Sequence, residues 1–424
     1  MEYSIPCGDK QEVYFKIDRR MKTKNWQSLP KDLEIIKVTN FKEIEAIRPI
    51  WEEMQNNEPY PIINTEIDKY ISVIKAHEEK VQPYIILIKH NGNPISMIIG
   101  RLERRRLNLR LGYMTLFNPT LRCLSVVYGG IIGEASKDIH ILQICQLMEI
   151  LRNGEVDMVF FNQLRVDSQI YQLAQTMPGF MCRNHFPRID PHWVMSVPDN
   201  MQLFYKSCSK NNRKQFKKCL RRIAKEFPGR VIRVSYTRED QMDEAIPIVD
   251  QISSKTYQNR LGVGFVDNAK NRSLLTTAAR KGWLRLNVLF VDGEPCAFEI
   301  WLQFGKTYFG NGIGFDPKWK KLRVGTVLFL KTLDCICTDP TVHLVDFGFG
   351  DSEYKQIYCD KQWSEASVYI YAPKIYPILI NMLQSAINVL SLGLAYIAKK
   401  ADFTRWIKRC WRNRLQNINA KGQC

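Results

Sequence analysis

With 424 residues, 45% of them hydrophobic, the chain can bury two or three separate cores, and a single domain is not expected. Its 61 Lys and Arg outnumber 43 Asp and Glu, giving a net charge of +18 that points to an anionic partner: a phosphorylated cofactor, nucleic acid, anionic lipid or acidic glycan. The 12 cysteines are scattered and only Cys335 and Cys337 lie close together, so neither a Cys-x-x-Cys zinc pattern nor a disulfide framework is visible, and a reducing cytoplasm is the simplest home. Asp9, Lys10 and Glu12 leave no room for the apolar stretch of a secretory signal after Met1.

In chain order, a strand is expected at about Leu33 to Thr39, a helix from Phe41, and a strand in the apolar run Pro83 to Ile88. Asn91-Gly92-Asn93-Pro94 then reads as a tight hairpin turn into Ile95 to Ile99, because both central residues of a type I′ turn need positive φ. Another strand, Val156 to Phe161, leads to Asp167-Ser168-Gln169-Ile170-Tyr171. Pro191, Pro198, Asp199 and Asn200 interrupt the pattern and suggest a boundary near Asp190 to Asn200.

The next segment carries Lys206, Lys210, Arg213, Lys214, Lys217, Lys218, Arg221, Arg222 and Lys225, with Phe216, Leu220 and Ile223 on one helical face. The opposite face is either simply solvated or holds an anionic ligand; for a cofactor's phosphates, Arg213 and Lys217 are the candidate contacts. The earlier order of signals then returns: a strand at Val231 to Tyr236, helices at Met242 to Ser254 and Ser273 to Ala279, a strand at Leu286 to Val291, and the turn Asp292-Gly293-Glu294-Pro295 into Cys296 to Ile300. Val342 to Asp346 leading to Asp351-Ser352-Glu353-Tyr354 repeats the pattern at Val156 to Tyr171. Two pairings in one order argue for tandem α/β domains, each with a mixed sheet, over 1–200 and 201–374.

Ile375 to Ala398 is long enough to cross a bilayer, but Asn381, Gln384, Ser385 and Asn388 form one polar stripe, so an amphipathic helix is expected instead. It either packs on the core or lies on an anionic membrane surface, as the tail with Lys399, Lys400, Arg405, Trp406, Lys408, Arg409, Trp411, Arg412 and Arg414 suggests. Residues 375–424 thus form a helical tail, and peripheral attachment on the inner face of the cell membrane goes with the second reading.

The densest chemistry lies at Asp346-Phe347-Gly348-Phe349-Gly350-Asp351-Ser352-Glu353-Tyr354-Lys355, where an apolar strand breaks into glycines. Gly348 and Gly350 let the backbone turn and a ligand approach. Val324-Gly325-Thr326-Val327 reads as a glycine turn opening a helix whose free N–H groups can hold phosphate. No histidine pair has metal-ligand spacing; all six histidines, including His185, His192 and His343, read as structural, and no metal is expected.

Ser209-Lys210-Asn211-Asn212-Arg213-Lys214-Gln215-Phe216, Asp292 to Ala297, Phe315-Asp316-Pro317, and Asp346 to Lys355 with Trp363 together resemble the CelD/BcsL-like branch of the GNAT acyltransferases, a branch similar to the Fem peptidyltransferases. The resemblance implies two tandem GNAT-like domains, an acyl-CoA donor such as acetyl-CoA, and N- or O-acyl transfer to a carbohydrate or amino acceptor in making cell envelope or polysaccharide. One departure is plain: aligning the pyrophosphate loop, Arg/Gln-x-x-Gly-x-Gly/Ala, on Gly325 puts Leu322 first and Val327 last.

Acyl transfer needs a base for the acceptor and an acid for the departing thiolate. Asp351 or Asp346 is the candidate base or acceptor-orienting group, Tyr354 the proton donor, and Lys355 the holder of an anionic substrate group. Glu299 is a second base if it faces the cleft. Against these stand plainer roles: a turn cap for Asp346, a half-buried phenol for Tyr354, and a surface pair of Lys355 with Glu353. In the first block Asp167 and Tyr171 stand in the comparable region without the glycines, which makes that copy structural or acceptor-binding. Two other functions compete: aminoacyl-tRNA-dependent transfer as in the Fem enzymes, and a non-catalytic envelope-assembly factor at the membrane.

Overall fold

A computed structural model describes residues 32–77, 80–111, 114–256, 259, 262 and 264–400. The cationic and tryptophan residues from Arg405 to Arg414 lie outside them. β1 (Leu33–Val38) leads to α1 (Phe41–Asn56), whose start is fixed by the Asn40 side chain accepting from the Glu43 N–H. After α2 (Ile67–Lys75), β2 (Val81–His90) and β3 (Asn93–Arg106) are joined by the expected turn, with φ of 50° at Asn91 and 78° at Gly92. β4 (Leu109–Leu111), β5 (Met114–Phe117), β6 (Thr120–Gly133), α3 (Lys137–Asn153), β7 (Met158–Arg165) and α4 (Gln169–Thr176) complete the first block.

β8 (Ile189–Ser196), α5 (Met201–Ser207) and α6 (Lys210–Glu226) follow. The second block contains β9 (Val231–Tyr236), α7 (Met242–Ser254), α8 (Ala269–Arg280), β10 (Leu284–Val291), β11 (Glu294–Phe304) and β12 (Thr307–Phe315). It continues with α9 (Val324–Ile336), β13 (Leu344–Phe349), α10 (Glu353–Tyr358) and β14 (Lys361–Tyr371), and the chain is described to the end of α11 (Ile375–Lys400). Asp292 and Gly293 take φ of 54° and 77°, as the second Asp-Gly turn requires.

The repeat read in the sequence exists in three dimensions. β1-β2-β3-β6-β7 and β9-β10-β11-β12-β13 are strand neighbours in the same order, and in each run the last pair, β6 with β7 and β12 with β13, is parallel. The described chain clusters into two compact units that are discontinuous in sequence: 32–99, 128–134 and 189–365 form one, and 100–127, 135–188 and 366–400 the other. Neither follows the anticipated cuts at 200 and 374. The suggested boundary at Asp190 to Asn200 overlaps β8, which pairs antiparallel with β13; Pro191 fits there because its carbonyl is what is used, accepting from the Gly350 N–H at 2.9 Å.

In the first unit, strand alternation sends Leu284, Leu286 and Val288 of β10 onto α7 and α8, and Leu289 and Val291 onto α6 and α9. The helix α6 buries Phe216, Cys219 and Ile223 and exposes Lys214, Lys217, Lys218, Arg221 and Lys225, as its pattern requires. The second unit packs Leu107, Leu121, Cys123, Met158, Phe160, Tyr371 and Ile380 together. There α11 is indeed a helix, but it lies on its own unit by the polar stripe: Asn381 is 2% exposed while Ile375 is 81% exposed.

Candidate active site

β12 and β13 pair over only three residues, Thr307 with Leu344, Tyr308 with Val345 and Phe309 with Asp346. Beyond that point β12 stays with β11 as far as Phe315, while β13 stays with β8 through Phe349. The strands therefore part at Asp346, leaving Gly310 to Ile313 of β12 with an open edge of backbone donors and acceptors.

Asp346 is buried at this fork. Its Oδ1 accepts from the Gly348 N–H at 2.7 Å and from His192 Nε2 at 2.8 Å, and its Oδ2 from the Tyr60 hydroxyl at 2.9 Å. His192 Nδ1 donates to Glu365 Oε2 at 3.0 Å. Oε1 of Glu365 takes the Trp363 indole N–H at 2.7 Å and the Tyr128 hydroxyl at 3.1 Å. The imidazole is nearly parallel to the ring of Trp363, 4.6 Å away at 9°, and to that of Tyr128, 5.8 Å away at 17°.

With a carboxylate at each ring nitrogen, only the imidazolium can donate to both. Burial opposes its charge, but the bonds to Asp346 and Glu365 outweigh burial and raise the His192 pKa to about 9. Burial and the neighbouring carboxylates push both phenols, Tyr60 and Tyr128, upward, so they stay protonated. The two carboxylates are thus tied together through one imidazolium. The Tyr60 ring sits 6.1 Å from Phe309, which brings this phenol to the fork itself.

The glycine-broken strand serves this carboxylate. Gly348 and Gly350 have φ of 72° and 91°, and a Cβ on either would meet nothing, so it is the backbone conformation that calls for glycine. Lys355 is buried and donates from Nζ to the carbonyls of Gly348 at 3.1 Å and Phe349 at 2.9 Å; burial lowers its pKa. Its ammonium fastens the turn rather than facing an anionic substrate. The anticipated catalytic group divides in space. Asp351 is exposed and accepts from the Gln356 side chain at 2.8 Å, while the Tyr354 ring packs on Phe347 in the core at 6.1 Å.

Glu299 does not face a cleft. It lies on the side of β11 beneath α9, fully buried, with the Asn287 amide donating at 3.3 Å and Arg233 in turn donating to Asn287 at 2.9 Å. The Thr332 hydroxyl and Trp301 indole approach without forming a hydrogen bond. Burial lifts Glu299 to about 7. Nearby, α9 opens at Arg323, whose φ is 54° and whose side chain does not cap it, so the first-turn N–H groups of Val324, Gly325 and Thr326 remain available. A Cβ on Gly325 would touch only Phe315, at an ordinary 3.8 Å, and Lys320, Lys321 and Arg323 stand exposed around this end. Arg213 is committed elsewhere: Nη2 donates to the Lys206 and Cys208 carbonyls, each at 3.2 Å, closing the end of α5. Lys217 is exposed, 6.0 Å from the Tyr205 ring centre.

Tyr60, Tyr128, His192 and Glu365 were not singled out as site residues in the sequence. His192 is satisfied, as a structural histidine would be, but by two carboxylates. The one signal available was Glu365, a charge at an inward position of an alternating strand. In the first block Asp167 is exposed and paired with Arg165 at 2.7 Å, and Gln163 takes φ of 61° close to where a glycine would be the easier choice.

Residues 210–356 match the family model described as an acetyltransferase (GNAT) domain. This chain carries a GNAT-fold acyltransferase domain. Asp346 falls within the matched span; Tyr60, Tyr128, His192, Trp363 and Glu365 all fall outside it. Among solved structures the chain is similar to FemX, at 10% identity and a TM-score of 0.54, over 83% of this chain and 100% of that one. A tandem GNAT protein from the clavulanic acid biosynthesis pathway aligns at 11% identity and a TM-score of 0.47, over 81% of this chain and 100% of its own. The C-terminal domain of a putative lysylphosphatidylglycerol synthetase from Agrobacterium fabrum aligns at 11% and 0.45, over 75% and 92%. No curated protein sequence matches.

Proposed function

We propose that this acyltransferase moves an acyl group, acetyl foremost, from acyl-CoA to an amine or hydroxyl of a cell-envelope or polysaccharide-related acceptor, in keeping with the CelD/BcsL-like resemblance. The observation that carries this reading is the buried carboxylate of Asp346, at the fork of β12 and β13 and inside the acetyltransferase span, held by His192 and Tyr60 from outside that span. The amides of a pantetheine arm can add to the open edge of β12 as an extra strand would. The pyrophosphate suits the uncapped start of α9 among Lys320, Lys321 and Arg323. As the acceptor attacks the thioester carbonyl, its proton passes to Asp346. Tyr60 gives its proton to the departing thiolate and regains one from Asp346 through their hydrogen bond, which restores the starting state. His192 and Glu365 hold Asp346 in place.

Calorimetry with acetyl-CoA, followed by thiol release in the presence of amino sugars, sugar hydroxyls or peptide amines, tests this. Asp346→Asn is expected to keep donor binding and lose about 10²- to 10⁴-fold in turnover; undiminished turnover removes Asp346 from the chemistry. A second reading, aminoacyl-tRNA-dependent transfer, draws support from the exposed cations of α6 and from Leu322 and Val327 in the loop around Gly325. Binding of aminoacyl-tRNA without binding of acetyl-CoA would favour it. Binding of neither would leave a non-catalytic envelope-assembly role.

A further inference from the structure

The helix α11 buries its polar stripe, together with Ile380 and Ile387. Its polar stripe points into its own unit, where Asn381 Nδ2 donates to the carbonyls of Met181 and Arg183, each at 2.9 Å. Gln384 accepts from the Tyr371 hydroxyl at 2.7 Å, and Ser385 bonds His185 at 2.8 Å. These bonds fix the helix's rotation, so rolling the apolar side inward would take the buried Asn381 amide from the two carbonyls it serves. As far as Gly393 the outward side is apolar: Ile375, Leu379, Leu383 and Leu390 recur at helical spacing, with Leu379 59% and Leu390 58% exposed. The helix packs on β4 and on the turn at Phe180–Cys182, and next to it β5 exposes Met114, Leu116 and Phe117.

The exposed charges on the strands beside this patch are cationic. Arg104, Arg106 and Arg110 are exposed on β3 and β4, and Lys374 is exposed at the head of α11. From Ile375 to Cys424 the sequence has eight Lys and Arg and a single acid, Asp402, with Trp406 and Trp411 among the cations. A second copy docking by this face would set like-charged rims against each other. An anionic bilayer takes both features at once, burying the apolar side chains at the acyl boundary and pairing the arginines with headgroups.

We propose that this unit docks peripherally on an anionic bilayer, with α11 lying in the interface plane. Ile375–Gly393 is long and apolar enough to cross a membrane, but spanning would pull Asn381, Gln384 and Ser385 from their partners. This proposal is independent of the acyl-transfer reading.

The test is co-sedimentation of the full chain with vesicles of phosphatidylcholine alone and of phosphatidylcholine mixed with phosphatidylglycerol. Binding is expected only to the mixed vesicles, weakened by salt and stripped by alkaline carbonate. The double substitution Leu379→Glu, Leu390→Glu should lower vesicle binding at least about tenfold while the circular dichroism spectrum and thiol-release rate with soluble acceptors stay unchanged. Undiminished binding by the double variant overturns the assignment of this face. Resistance to carbonate overturns the in-plane placement. A dimer by light scattering that the same substitutions dissolve, with no vesicle binding, shows the occupant to be a second copy and overturns the membrane.

Discussion

Two buried carboxylates in the same unit are held in opposite ways. Asp346 is met by an imidazolium, a backbone N–H and a phenol, whereas Glu299 has the Asn287 amide at 3.3 Å and a wall of core side chains. Burial without a charged partner is why Glu299 rises from 4.5 to about 7. Because the folded value lies above the unfolded one, its contribution to stability is fully present below 4.5 and is lost as pH rises through about 7. Glu299→Gln keeps the oxygen that accepts from Asn287 and has no proton to lose. It should leave stability at pH 4.5 nearly unchanged and raise it at pH 8 by about 2–3 kcal/mol, measured by denaturant unfolding, with turnover intact. An equal effect at both pH values would mean that the charge is not the cause. At this scale the sequence showed which residues could carry charge and where glycine was needed, but not that Asp346 would be joined by His192 while Asp351 stayed at the surface.

At the scale of elements, the register of β12 against β13 and the rotation of α11 matter most. Periodicity located α11 and its polar stripe, and hairpin chemistry located both Asn-Gly and Asp-Gly turns, because these depend on residues close in sequence. Which face of α11 turns inward depends on what it meets: the carbonyls of Met181 and Arg183 need donors, and Asn381 supplies them. The usual ranking of substitutions should therefore invert. Asn381→Leu is expected to destabilise by about 1–3 kcal/mol, and Leu379→Gln to be neutral within about 0.5 kcal/mol, both read from thermal unfolding. If Leu379→Gln proves the costlier, the helix sits the other way round.

Across the whole molecule the pH dependence of stability is set by a few buried groups against a net charge of +18. His192 lies above its ordinary 6.5, at about 9, so its contribution is fully present below 6.5 and lost as pH rises through about 9. The Glu299 contribution is lost earlier, by about 7, and both therefore fall in the same direction. Melting temperature should decline from pH 5 to pH 8 when salt is high enough to screen the overall positive charge, whose repulsion eases over the same interval; above about 8, buried Lys69, lowered to about 8, acts in the opposite direction. In Glu299→Gln the decline should be confined to the upper half of that range. A flat or rising profile would show that the buried imidazolium is not held by its two carboxylates.

The sequence by itself determined the repeated strand and helix order, the two positive-φ turns, the buried face of α6 and the acyltransferase likeness of the second block, since each rests on local spacing or on a contiguous motif. Only the tertiary structure decided the composition of the site. Tyr60 lies 286 residues from Asp346, His192 154 from it, and Tyr128 237 from Glu365. Those groups share no local pattern. They meet because strand pairing and the packing of distant segments bring them together, and a buried charge then selects partners by distance in space rather than in sequence.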